Sequence, residues 1–462
     1  MRKEKDFMGV VELDDSFPFG INTMRAMQNF NFNDEVMHPS IFKALLEVKK
    51  ACAVANGIAG ILDEDIAISI EAACDRAIAE SIYPHLNPYQ GGAGTSMNMA
   101  ANELIANYAL KIIGKNYGEY EFINPLDHVN LSQSTNDVFP TAVKIATIRG
   151  IRQLHENIEK LLHELQEKEH QFSGILKIGR TEMQDAMPVS LGQEFGAWAE
   201  GVSRFRWRLS KALDWIREVN IGGTAVGTGI NADADYLRVI ASELRKVVQE
   251  PLSVSRNGVD GTQNCDSIVE IMGIMKTGAV VIKKISNDIR ILSSGPECGI
   301  GELSLPAFQQ GSSIMPAKVN PVMAEAAEQV CLEIMASDNS VAHAVSQGNL
   351  ELQQFMPFIA HKTVHSISLF SGMLKSFTKM ISGITANETK IRSYVESSTV
   401  VATLLAPTIG HERTAELVVE AREKGARIYD LIIERKILSK EKLDMLLTPE
   451  VMASPGMPVV EE

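Results

Sequence analysis

FGAWAEGVSRFRWRLSKALDWIREV, residues 195–219, places Phe195, Trp198, Val202, Phe205, Leu209, Ala212, Ile216 and Val219 at alternating steps of three and four. Steps of that size return side chains to one face of an α-helix and to neither face of a strand. The same pattern recurs through Ile268, Ile271, Met275, Gly278, Ile282, Ile285, Ile289 and Leu292, and through Ile151, Leu154, Ile158, Leu161 and Leu165. The spacing predicts helices of about seven or eight turns. A stripe of this period demands a partner helix crossing at about 20°, with knobs packed into holes. Stretches at about 323–345 and 358–383 read similarly. The expected fold class is therefore all-α, with a central bundle of about five long helices.

Working outward, residues 138–390 form the expected central bundle domain. Residues 1–137 mix shorter helices, such as 40–62, with loops rich in Gly, Asn and Pro, and read as a separate N-terminal domain. Residues 391–462 read as a C-terminal domain of short helices broken by Pro407, Gly410 and Gly425, ending in ASPGMPVVEE, for which poor order is expected. A chain of 462 residues exceeds the usual size of one hydrophobic core, so three domains are reasonable. Long helices that expose apolar stripes on more than one side predict a homo-oligomer of closed symmetry.

With 45% hydrophobic and 22% charged residues the composition is that of an ordinary globular protein. The formal net charge of −14 argues against nucleic acid or anionic lipid as a partner, while leaving room for a local cationic pocket. Five cysteines with no CxxC spacing indicate neither a disulfide framework nor a zinc site, and suit a cytoplasmic location. MRKEKDFMGVVELDD lacks a signal-peptide apolar core, and no apolar run is long enough to span a membrane.

Three polar clusters interrupt the helical pattern: GGAGTSMN (91–98), SQSTND (132–137) and GSSIMPAKVNP (311–321). Each alone reads as a turn or helix cap. Together they offer glycines that let backbone approach a ligand, hydroxyl and amide donors for a carboxylate, and the point charge of Lys318, as a small dianion requires. GGAGTS lacks the GK[ST] ending of a P-loop, and no GxSxG elbow is present. His361 and His365 in HKTVH share a helix face but lack the HExxH glutamate, so they read as structural. IMGIMK falls on a bundle stripe and reads as core.

GSSIMPAKVNP resembles the signature loop of the aspartase/fumarase superfamily. GGAGTSMNMAANELIAN (91–107), NPLDHVNLSQSTNDVFPTA (124–142), KIGRTEMQDAMPVSLGQEF (177–195) and GTAVGTGIN (223–231) resemble further blocks of that family in its order. SQSTND and GEYEFINPLDHVN lie closer to the ammonia-lyases of the superfamily than to its hydratases. The resemblance thus implies reversible anti elimination of ammonia from L-aspartate to fumarate. Hydration of fumarate to malate, a substituted aspartate as substrate, and a non-catalytic helical scaffold are the alternatives. It also implies a three-domain homotetramer with active sites shared between subunits, and no catalytic metal or organic cofactor.

By position, Ser312 matches the base that takes the proton, with Ser313 next in the loop. Thr95, Ser134 and Thr135 match donors to the carboxylate beside the abstracted proton. Asn136 matches a contact near the leaving amine, and Thr181, Lys318 and Asn320 match contacts to the α-carboxylate. Glu182 stands where the family's hydratases carry His and its ammonia-lyases His or Gln, and is read as facing the substrate ammonium. Glu325 matches the carboxylate that partners that His and is expected near Glu182. Gln353 replaces an expected Asn. Gly301 and Gly311 are candidate hinges for loop closure.

Overall fold

Five long helices, Thr135–Gln171, Leu191–Ile216, Asp266–Leu292, Val322–Val345 and Met356–Ser382, dominate a computed structural model that describes residues 1–453. Residues 454–462, on which most of the expectation of poor order falls, lie outside the described residues. The stripe residues do what their spacing predicts: Ile151, Leu154, Ile158, Leu161, Phe195, Val202, Leu209, Ile268, Ile271, Ile282 and Ile289 are all buried. The 195–219 stripe outruns its helix. The helix stops at Ile216, and Val219 is buried instead in a two-residue strand, Glu218–Val219, paired in parallel with Ser253–Val254.

Chain compactness defines two units, one of Met1–His155, Trp207–Thr277 and Leu332–Ser371, the other of Glu156–Arg206, Gly278–Cys331 and the chain from Gly372 onward. Every long helix contributes one part to each.

In the first unit, the hairpin Arg2–Asp6/Gly9–Leu13 precedes helices Ile21–Asn29, Pro39–Ile58, Glu64–Ala79 and Thr95–Ile112. Helix Thr135–Gln171 carries Pro140 near its start. Proline has no N–H, so the Asn136 carbonyl four residues back loses its helical partner. The Asn220 side-chain amide takes that place, donating to Asn136 O at 2.9 Å. A sequence-local defect is thereby converted into a tie between this helix start and the GGT turn at 222–224.

The second unit holds the antiparallel hairpin Leu176–Thr181/Gln184–Ser190. It also holds small helices from Glu388 onward, packed around Val395, Leu417, Leu431, Ile432 and Leu443. Fully buried Glu302 binds Lys177 at 3.0 Å and Arg180 at 2.8 Å, anchoring the hairpin's first strand. Among the described residues no helix is long and apolar enough to cross a membrane.

Candidate functional site

GGAGTSMN forms the entry to helix Thr95–Ile112. Gly92, Ala93 and Gly94 all have positive φ (82°, 56° and 101°), which turns the chain tightly before the first helical residue. A Cβ on Gly94 would lie 2.3 Å from the buried Phe139 ring, so only glycine fits there. Gly94 brings no capping side chain. The N–H groups of Ser96 and Met97 therefore find no acceptor within the helix, the arrangement that favours an anion. Thr95 donates its hydroxyl proton to Gly92 O at 2.7 Å.

SQSTND starts the second helix as a capping box. Ser134 Oγ accepts from Asn136 N at 3.2 Å, and Asp137 Oδ1 accepts from Ser134 N at 2.9 Å. Asp137 is fully buried, and its other oxygen accepts from Gly222 N at 3.1 Å and Thr224 N at 3.3 Å. Burial pushes its carboxyl up to about 6 despite these donors. Asn136 donates to Ala225 O at 2.7 Å, leaving its Oδ1 as an acceptor of the kind an ammonium needs.

The two helix starts are joined, because Asn98, one turn into the first helix, donates to Thr135 Oγ1 at 3.0 Å. Thr95, Ser134, Thr135 and Asn136 thus belong to one cluster at two helix N-termini. Each N-terminus carries roughly half a positive charge, which concentrates attraction for a carboxylate in a chain whose net charge is −14.

GSSIMPAKVNP is a loop pinned by its own backbone. Gly311 N donates to Lys318 O at 3.1 Å, and Asn320 Nδ2 donates to Gly311 O at 2.8 Å. A Cβ on Gly311 would lie 2.2 Å from Lys318 O, so close approach is a sufficient reason for glycine there. Ser312 Oγ accepts from Ile314 N at 3.1 Å and Met315 N at 3.0 Å. Two N–H dipoles aimed at one hydroxyl oxygen stabilise its deprotonated form. Ser313, Lys318 and the apolar tip are exposed, Ile314 by 86%. One hydrogen of the Asn320 amide is committed to the loop itself, while Lys318 and Ser313 are exposed donors on it.

Thr181 and Glu182 are exposed at the tip of the hairpin. Glu182 and Met183 form its two-residue turn with φ of 53° and 66°, a conformation that glycine or asparagine adopts more readily. Among the described residues no hydrogen bond or ion pair joins this tip to the 311–320 loop. Glu325 lies in the first turn of helix Val322–Val345; Arg290 donates to Glu328 Oε1 at 2.7 Å, and that bond, with the weaker field of Glu325, reinforces the charge on Arg290. Gln353 is buried and serves the backbone, donating to Val345 O at 2.8 Å. His361 stacks on His365 with ring centroids 5.5 Å apart, and burial pushes His361 down to about 4.

Sequence reasoning assigned no role to Asp137 or Asn98. The S-x-x-D spacing from Ser134 was a legible sign of the first. Nothing local marked the second, since its partner Thr135 is 37 positions away.

A family model described as Lyase matches residues 13–336, and one described as Fumarase C C-terminus matches residues 401–454. An aspartate ammonia-lyase of Helicobacter pylori is 42% identical over 460 residues, 98% of each chain. That of Bacillus subtilis is 40% identical over 459 residues, covering 99% of this chain and 97% of the relative. The crystal structure of fumarate lyase:delta crystallin from Brucella melitensis bound to cobalt matches with a TM-score of 0.93 at 40% identity, covering 98% of this chain and 100% of that one. A class II fumarase from Schistosoma mansoni matches with a TM-score of 0.89 at 31% identity, covering 98% and 99%.

Proposed function

Because the chain belongs to the aspartase/fumarase lyase family matched over residues 13–336, we propose that it is an ammonia-lyase converting L-aspartate reversibly to fumarate and ammonia. The observation that carries this reading is identity of 40% or more with aspartate ammonia-lyases over nearly the whole chain. The family's hydratase chemistry is the neighbouring alternative, and Glu182 in place of a histidine weighs against it.

In this reading Ser312, as the alkoxide, takes a proton from C3. The C–H electron pair passes into the adjacent carboxylate to give an aci-carboxylate dianion. The pair then returns to form the C2–C3 double bond as the C–N bond breaks, and ammonia departs. Charge develops on the C4 carboxylate only in the transition state, so donors already in place there accelerate the step. Ser134, Thr135 and the N–H groups of the two helix starts fill that role. Loss of one such donor slows turnover by about 10²- to 10³-fold. Thr95 joins them only if its hydroxyl turns away from Gly92 O. Asn136 Oδ1 and Glu182 receive the ammonium, while Thr181 and Lys318 hold the α-carboxylate, with Asn320 bracing the loop and Ser313 beside the base.

The working form is a cytoplasmic homotetramer whose sites combine clusters from different subunits, built on domains 1–137, 138–390 and 391–462 and needing no metal or organic cofactor. Trp207 and Trp215, 64% and 68% exposed on helix Leu191–Ile216, support an interface on that helix. The test is ultraviolet absorbance of fumarate after L-aspartate or L-malate is added to the purified protein. Growth with L-aspartate is expected, and growth with L-malate alone would replace the ammonia-lyase reading with the hydratase.

A further inference from the structure

Beneath the joined helix starts lies a buried cation that the proposed chemistry does not use. Lys49, on helix Pro39–Ile58, is 0% exposed and donates to Asn130 Oδ1 and Gln133 Oε1, each at 2.8 Å. An ammonium has hydrogens and no lone pair, so both neighbours must turn an oxygen toward it. Gln133 confirms this independently, since its Nε2 is spent on the carbonyls of Val129 and Leu131, both at 3.0 Å. With its oxygen held at Lys49, Asn130 Oδ1 can meet only donors. Asn98 and Asn102 each bring Nδ2 to it at 3.2 Å. The second hydrogen of Asn98 Nδ2 goes to Thr135 Oγ1 at 3.0 Å. A hydroxyl that accepts from Asn98 keeps its own proton for another acceptor.

This direction is held against a local preference. Asn98 Oδ1 and Asn102 Oδ1 are buried with no partner. A buried unpaired acceptor is unfavourable, and turning the Asn98 amide over would let its oxygen receive the Thr135 proton. Thr135 would then face a substrate carboxylate with lone pairs. Neutral amides allow both directions, and the donor-only ammonium allows one.

We propose that Lys49 is a positioning residue that fixes the direction of the hydrogen-bond chain through Asn130 and Asn98, so that the Thr135 hydroxyl meets the substrate carboxylate as a donor. The inference rests on the ammonia-lyase reading above and gives it a device that orients one donor before substrate arrives. Methionine is the informative replacement, because it nearly matches lysine in length and removes a buried charge without leaving a large void.

The experiment is a double-mutant cycle on the full-length protein with Lys49→Met, Thr135→Val and the pair together, reading kcat and KM for L-aspartate. Lys49→Met is expected to lower kcat at least about 10-fold with a smaller change in KM, since the donor counts most when charge develops. In the Thr135→Val background the same substitution is expected to change kcat less than about 2-fold. Losses that multiply independently would overturn the proposal, because a lysine that merely supports the fold would act alike with or without the Thr135 hydroxyl. If Lys49→Met does not fold, Asn98→Leu enters the same cycle, and independent losses there overturn the chain from its other end. Wild-type protein is the control: no turnover of L-aspartate removes the ammonia-lyase reading, whereas normal turnover with independent losses removes only the role of Lys49.

Discussion

Gly94 shows how much a single position can decide. Its φ of 101° and the Phe139 ring 2.3 Å from where a Cβ would stand leave an alanine nowhere to go. Gly94→Ala should cost roughly 2 to 4 kcal/mol from backbone strain and overpacking together. It should also raise KM for L-aspartate, because Thr95 and the free N–H groups follow directly. Thermal unfolding and steady-state kinetics on one preparation check both, and an unchanged melting temperature would contradict the geometry. The Gly-rich cluster was legible in sequence as a site for close backbone approach. The polar core beneath it was not. Lys49, Asn98, Asn130 and Asp137 take their meaning from partners up to 87 residues away, such as Thr224 for Asp137, and single-sequence reading offers no pairing at that range.

At the scale of elements, all five long helices were readable because a 3.6-residue repeat sustained over seven turns leaves little ambiguity. The short strands were not. Two strands of six and seven residues joined by Glu182–Met183 lack the Asn-Gly or Gly-containing turn that announces a hairpin. Pro140 lies where the pattern alone would allow an uninterrupted helix, and its consequence appears only through Asn220. Asn220→Ala leaves the Asn136 carbonyl without its 2.9 Å donor, at a cost of about 1 to 3 kcal/mol. Hydrogen exchange should accelerate in peptides covering 134–142 and stay unchanged in helix Met356–Ser382. Unchanged exchange at 134–142 would mean that Asn220 does not secure this helix start.

For the whole molecule, the long helices account for both the core and the surface that remains. Trp207 and Trp215 lie two turns apart on one exposed face, with Lys211 over the Trp207 ring at 5.8 Å. Burying such a pair between copies would remove a large apolar area from water. If the proposed tetramer uses this face, Trp207→Glu with Trp215→Glu should lower the assembled mass seen by light scattering, and an unchanged mass would exclude this face from the interface. With a net charge of −14 the molecule's overall field does not favour a dianion, so the proposed substrate would depend on local positive ends such as the two helix starts. The proposed chemistry assigns the proton to one oxygen, Ser312 Oγ, which accepts from two N–H donors. The most direct measurement is release of ammonia and fumarate from L-aspartate by wild type and Ser312→Ala side by side, with folding checked by circular dichroism. Wild type should give equal amounts of the two products, and the variant should lose about 10²-fold or more in kcat while remaining folded. A folded Ser312→Ala protein turning over L-aspartate at the wild-type rate would show that another group takes the proton.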